Sequence, residues 1–512
     1  SGEGLTRKAY LNAIAAGLDF SARLLVGFCT TPLLVSGLGD FLFGIWTVLG
    51  RLTGYLTAAG ARPNQALKCV LANRQSSTDY QEKRESVGSA VIVWFIFLPV
   101  QAVLGGIVAW CSPWWLEVPS DLIWVVRVAA CILVVKLMAS SLINLPQSIL
   151  EGENMGYRRM GLSTLLVIVG GSLTALAVYL NAGLIGVAAA ALVTVLTSGI
   201  LLLWVLLTNV PWFGIAIPSK KSITRFVGLS GWFLSWRFIM KVLTTSDVVL
   251  LGVLASAEIV TVYRLTQFLP EALVSSVAIV VFGISPGLGG IIGAGNYRKA
   301  NRVRGEAMLL TWLIVTIAGS TILIWNDAFL ELWVGAEYQG GSNLTFWILL
   351  MSIQLILIRN DGNIIDLTLD LRHKVILGAI SSAISVVTAA VLVAWLRWGA
   401  VGVCLAFITG RLLMTIGYPL IVGKVLNCNG AAQLRAAIRP VLTTLATFLL
   451  AMRVQQHVLA QSWLALVIGV MATLVVVSLL VLVIGVTPSQ RRQILHRVNL
   501  VFSNDRAKRK EL

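Results

Sequence analysis

The chain has 512 residues, 57% of them hydrophobic and 12% charged, with a mean hydropathy of +0.88. Ordinary soluble domains are roughly 45–50% apolar and 25% charged, so this composition excludes soluble, disordered and disulfide-scaffold classes and leaves a lipid bilayer as the natural solvent. A net charge of +17 would suggest nucleic acid in a soluble protein, but here the placement of the 39 Lys and Arg residues decides what it means.

Crossing about 30 Å of hydrocarbon takes about 20 mostly apolar residues, and fourteen stretches meet that length. Six lie near 9–36, 41–61, 86–110, 120–145, 160–180 and 184–208. Six more lie near 224–253, 258–292, 306–326, 343–366, 375–396 and 400–423, and two follow near 436–455 and 463–486. The expected fold is an all-α polytopic membrane protein of about fourteen transmembrane helices, with two pseudo-symmetric six-helix lobes at 1–208 and 224–424. A cytoplasmic linker, 209–223, joins the lobes; two further helices occupy 425–487, and 488–512 is a basic cytoplasmic tail. Residues 1–8 lack the basic region, apolar core and cleavage site of a signal peptide, so the first spanning helix is expected to be retained.

Orientation follows from the Lys and Arg between spans, because cytoplasmic loops keep positive charge. One side collects most of them, including Lys83, Arg84, Arg158, Arg159, Lys220, Lys221, Arg304, Lys374 and the tail run Arg506 to Lys510. The other side holds Arg397 and Arg453 with Asp40, Glu117, Asp327, Glu331 and Glu337. This bias predicts that both termini are cytoplasmic. Trp114, Trp115, Trp212, Trp325, Trp333, Trp398 and Trp463 fall at span ends, where amphipathic rings anchor at the interface. The basic tail reads as a solvated segment attracted to anionic lipid, with no nucleic-acid partner.

Nine basic residues remain inside spans: Arg23, Arg51, Arg127, Lys136, Arg237, Lys241, Arg264, Arg359 and Arg411. Each costs about 2.5–3.5 kcal/mol at a helix centre, so they cannot all face lipid. Snorkelling relieves Arg359 and, in part, Arg127. The acidic residues available within spans are Asp19, Asp247, Glu271, Asp361 and Asp366, too few to neutralise the set. The balance implies a water-filled cationic cavity suited to an anion, with Arg23, Arg51, Arg127, Lys136, Arg237, Lys241, Arg264 and Arg411 as candidate substrate-binding residues. Asp19 and Arg23 are spaced i,i+4 and could pair on one helix face, whereas Arg237 and Lys241 at the same spacing repel and call for an anion or water. Pro32, Pro270, Pro286 and Pro419 interrupt spans, and the run Gly283 to Gly293 suits close helix packing or a kink.

Cofactor and active-site signals are missing. Six cysteines are scattered singly, three histidines lie far apart in loops or at span ends, and no metal set or nucleophile–base pair emerges. The loop near 326–342, with Asp327, Glu331 and Glu337, is the one place a membrane glycosyltransferase or polymerase could keep carboxylates.

The segment Ser246-Asp-Val-Val-Leu-Leu-Gly-Val-Leu254, the Val262-Tyr-Arg-Leu265 that follows, Pro286 before Tyr297-Arg-Lys299, and the turn Gly152-Glu-Asn-Met-Gly-Tyr-Arg-Arg159 carry a resemblance. With the six-plus-six-plus-two pattern, the chain resembles the multidrug/oligosaccharidyl-lipid/polysaccharide exporter superfamily, and within it the Wzx-type flippases of lipid-linked oligosaccharides. Leu38-Gly-Asp-Phe-Leu-Phe-Gly-Ile-Trp46 also resembles Leu254-Ala-Ser-Ala-Glu-Ile-Val-Thr-Val-Tyr263, as an internal repeat would. The resemblance implies alternating access through a cationic cavity between two lobes, with a polyprenyl (undecaprenyl) pyrophosphate-linked oligosaccharide as substrate. It also implies a bacterial cytoplasmic membrane location, surface polysaccharide or O-antigen export, contact with membrane lipids and with polysaccharide polymerase machinery, and no enzymatic activity. In the related lipid II flippases, cavity arginines on spans 1, 2 and 8 matter, and Arg23, Arg51 and Arg264 occupy comparable spans. No cofactor is expected beyond coupling to a proton or sodium gradient or the membrane potential, for which Asp19 and Asp247 are the candidates. One chain contains both lobes, so a monomer is expected. The alternatives are a cation-coupled drug exporter of the same superfamily, whose cavity would be acidic, and a membrane glycosyltransferase or polymerase.

Overall fold

The computed structural model describes residues 2–57, 64, 67–68, 70–71, 79–153, 161–293, 295–367, 372–428, 430–458 and 460–486. Within these, side chains are not described for 2–16, 220–222, 224–237, most of 279–293, 367, 430–432, 434 and 436, so Arg237, Pro286 and the glycines from Gly283 to Gly293 fall outside the side chains described. The tail from 487 onward and the turn at 154–160 also lie outside the described residues.

Every described element is helical. In chain order these are α1 (Gly2–Leu56), α2 (Tyr80–Trp115), α3 (Ile123–Ile143), α4 (Leu145–Gly152), α5 (Leu162–Tyr179), α6 (Gly183–Asn209), α7 (Lys220–Leu254) and α8 (Ala257–Thr266). They continue as α9 (Phe268–Gly293), α10 (Tyr297–Trp333), α11 (Gly341–Leu367), α12 (Arg372–Ala390), α13 (Gly399–Gly410), α14 (Leu412–Val425), α15 (Gly430–Gln455) and α16 (Trp463–Ile484). Among the described residues, 11 helical stretches are long and apolar enough to cross a membrane. The first of them, Gly17–Leu56, holds two of the expected spans, and α7 and α9 lie on two more, so each of the fourteen expected segments carries helix among its described residues, the one near 258–292 being divided between α8 and α9. The joint in α1 is Gly39, at φ 73 and ψ 164, a conformation that only glycine adopts cheaply and that splits the 55-residue stretch. Side-chain caps open other helices: Asp79 accepts from the Glu82 N–H, Asn296 from Lys299 and Ser462 from Ala465.

The chain forms two compact units. The first comprises Ser1–Arg264 and Val375–Gly410. In it α1 packs on α5 and α7, α3 on α2 and α6, and α13 on α7. A core of Val87, Ala90, Ile149, Leu150, Leu206, Val210 and Trp212 ties α2, α4 and α6 to the segment after α6. The second unit comprises Leu265–Lys374 and Arg411–Leu512, with α10 packed on α9, α11, α15 and α16. Hydrogen bonds between helices run through its apolar core: Trp312 Nε1 donates to Thr444 Oγ1 at 2.9 Å, Trp325 Nε1 to Thr473 Oγ1 at 2.9 Å and Asn360 Nδ2 to Thr311 Oγ1 at 3.0 Å. Leu464, Val467, Ile468, Met471, Val475 and Leu479 of α16 are exposed on one face, which suits lipid and not water.

The two segments that resemble each other, 38–46 and 254–263, meet in the first unit. Thr261 Oγ1 donates to the Asp40 carbonyl at 2.6 Å, and Gly44 lies against the Ala257 carbonyl so closely that a Cβ would overlap it. Gly44→Ala is therefore expected to cost about 1–3 kcal/mol, because backbone and not a side chain must give way. Gly50→Ala, which meets no atom within 4 Å, is the neutral control. Denaturant unfolding of both variants in detergent checks this, and equal stability would show that the α1–α8 contact is loose.

Candidate functional site

The seam where α7 and α8 pack on the second half of α1 gathers the polar groups that the spans otherwise lack. Gly252 of α7 lets the helix close on Val48 of α1. Farther along the seam, the Tyr55 hydroxyl and Ser246 Oγ share a short hydrogen bond, and the Lys241 side-chain end lies over Gly54. Asp247 is 5% exposed and accepts a 2.8 Å hydrogen bond from the hydroxyl of Tyr263, which is fully buried. Arg51 and Asp247 are both within electrostatic reach of the Tyr55 phenol. Arg264 follows Tyr263 on α8 and is half-buried. Arg51, Lys241 and Asp247 thus stand along one helix–helix seam, with Arg264 at its α8 border.

The remaining sequence-derived candidates sit elsewhere. Arg23 and Asp19 pair within one turn of α1 at 2.9 Å, with side-chain exposures of 67% and 21%. Arg127 stacks on Trp110 and Trp114. Lys136 is half-buried in mid-α3 and makes no ion pair or hydrogen bond among the described residues. Arg411, in the second unit, is 3% exposed and donates from Nη1 to the Met351 carbonyl at 3.3 Å.

Three cations counted as loop residues are instead buried in protein. Lys83, in the first turn of α2, bonds Glu153 Oε1 at 2.9 Å and lies 5.4 Å from the Trp212 ring centre. Arg304 of α10 is 7% exposed; its Nε donates to Asp361 Oδ1 at 2.8 Å and its Nη1 to Gln433 Oε1. Lys374 of α12 bonds Asp366 and, at 3.0 Å, the Gly362 carbonyl, while the Tyr418 hydroxyl donates to the Lys374 carbonyl. The helices extend past the apolar windows that mark the spans, and so carry these charges into contacts that hydropathy does not show. Tyr55 carried no sequence signal, while Ser246 and Tyr263 stood in the segments that carry the resemblance. Among the described residues, no group of three His, Cys, Asp or Glu side chains converges to hold a metal ion.

A long helical seam lined with cations and one buried carboxylate has the makings of a membrane transport protein, and comparison with solved structures gives the same fold. An inward-facing multidrug resistance MATE family transporter of the MOP superfamily aligns with a TM-score of 0.65 at 14% identity, covering 79% of this chain and 94% of that one. The lipid II flippase MurJ in its inward closed conformation aligns at 0.66 with 11% identity, covering 91% and 97%. The MATE multidrug transporter DinF-BH aligns at 0.62 with 15% identity, covering 83% and 97%. The fold is therefore that of the MOP transporters and flippases. No curated protein sequence matches the chain. Residues 21–286 match the family model described as "Polysaccharide biosynthesis protein", and the chain belongs to that family.

Proposed function

We propose that this protein flips a polyprenyl pyrophosphate-linked oligosaccharide across the bacterial cytoplasmic membrane by alternating access, for export of surface polysaccharide. A pyrophosphate and a hydrated glycan cannot cross hydrocarbon unaided, and fixed cations along the path lower that barrier. The observation that carries the reading is the α1–α7–α8 seam, where Arg51 and Lys241 stand beside the buried Asp247–Tyr263 pair. Arg51, Lys241 and Arg264 bind the pyrophosphate or acidic sugars while the lipid tail stays in the bilayer; Arg23, Lys136, Arg237 and Arg411 are the further sequence-derived candidates. Asp247, with Asp19 as the second candidate, couples the cycle to protons or sodium. Membership of the polysaccharide biosynthesis family and the flippase fold support this substrate class. In this reading residues 1–208 and 224–424 act as the two lobes, both termini are cytoplasmic, and a monomer works beside the polymerase machinery.

The test is movement of a fluorescent polyprenyl-pyrophosphate oligosaccharide in proteoliposomes. The Arg51→Ala, Lys241→Ala, Arg264→Ala triple variant is expected to flip at least tenfold more slowly, with an unchanged melting temperature. Wild-type flipping by the triple variant would overturn the role of these cations. Transport of a cationic dye with no movement of the lipid-linked sugar would overturn the substrate and favour the drug exporter.

A further inference from the structure

Arg127 is held by two aromatic rings. It stands one turn into α3, and its guanidinium carbon lies 4.0 Å from the ring centre of Trp110 and 5.5 Å from that of Trp114. The two indoles are one turn apart on α2 and meet edge to face, 6.3 Å between centroids at 89°, so they form a trough with two aromatic walls. Both are 58% exposed. The Arg127 Nε is buried with no protein acceptor, and among the described residues no carboxylate pairs with the group.

This geometry leaves a cation held in place but unsatisfied. The ring contacts hold the guanidinium in place, and a guanidinium offers the planar fork of donors that matches a phosphate. One turn of helix places the group about 6 Å from the end of α3, at headgroup depth and not in mid-bilayer. Below the trough, Val100, Val103 and Ile107 are exposed at the three- and four-residue spacing that continues the Trp110–Trp114 face of α2. A cationic head site at the end of an apolar stripe has the two-part chemistry of a phospholipid, and a free phosphate would leave the stripe unused.

We propose that Arg127, Trp110 and Trp114 form a binding site for the phosphate of a membrane phospholipid whose acyl chain lies along the exposed face of α2. The site is independent of the flipping reaction proposed above, so either can fail alone.

Native mass spectrometry of the full chain in detergent, titrated with phosphatidylglycerol, tests it. Wild type is expected to bind one lipid more tightly than the rest, and Arg127→Gln to weaken that first step at least fivefold. Diacylglycerol with the same chains is expected not to occupy the site, and millimolar inorganic phosphate not to displace the lipid. Should Arg127→Gln fail to fold, the paired Trp110→Leu and Trp114→Leu variant keeps the cation, removes its walls and is expected to show the same loss. Unchanged phosphatidylglycerol binding in whichever variant folds would overturn the site. Equal retention of diacylglycerol would reduce it to a tail contact, and displacement by polyprenyl phosphate at lower concentration would reassign it to the carrier lipid.

Discussion

Asp361→Ala is expected to destabilise the protein by about 3–5 kcal/mol, because it strands a guanidinium in a site that water does not reach. In the Arg304–Asp361 pair the side chains are only 8% and 2% exposed, and the carboxylate takes both Nε and Nη2 of the arginine. Removing the acid leaves Gln433 on the far edge of the fork, a neutral acceptor that cannot balance the charge. The double change Arg304→Met with Asp361→Leu is expected to return stability to within about 1 kcal/mol of wild type, since a matched apolar pair avoids the desolvation of both ions. Denaturant titration in detergent separates the two variants. A loss below about 1 kcal/mol for Asp361→Ala would mean that the pair is hydrated and that its burial has little energetic weight.

Glu153→Ala is expected to cost a similar amount, about 3–5 kcal/mol, and to act over a longer stretch of chain. Lys83 is 3% exposed and Glu153 9%, and the lysine also sits near the face of Trp212. The neighbouring Arg84 holds the same segment twice, its Nε donating to the Trp212 carbonyl at 2.8 Å and its own carbonyl accepting from Ala216 at 3.3 Å. Gly88 allows this approach, since a Cβ there would overlap the Ala216 carbonyl. An uncompensated Lys83 is expected to draw water into this junction and loosen the segment, so hydrogen exchange at the Ala216 amide rises along with the loss of stability. Destabilisation with no faster exchange at Ala216 would show that the ion pair and the segment are independent.

The number and order of helices were legible because the bilayer imposes a length and an apolarity that few other structures require. The Asp19–Arg23 pair was legible too, since both partners lie within one turn. What hydropathy could not show is where charge goes once a helix leaves the hydrocarbon. Lys83, Arg304 and Lys374 all read as solvated loop cations, yet the partners of the first two lie 70 and 57 residues away, and that of Lys374 lies 8 residues back on the preceding helix, pairings that leave no periodic trace. The joint in α1 has the same origin: Gly39 is one of 46 glycines, and its unusual backbone angles follow from packing and not from its neighbours in sequence. At the seam, Lys241 and Asp247 stood out as charges in apolar stretches, while Tyr55 and Ser246 matter through contacts 191 residues apart.

The segment after α6 was expected to be a linker, and its practical meaning changes once Val210 and Trp212 are counted in the core and Ala216 is bonded to α2. A tether with slack accepts inserted tags, protease sites and split points almost anywhere along its length. Here Pro218 is buried as well and lies against Gly88 of α2, so an epitope placed within 210–218 would report on a damaged protein.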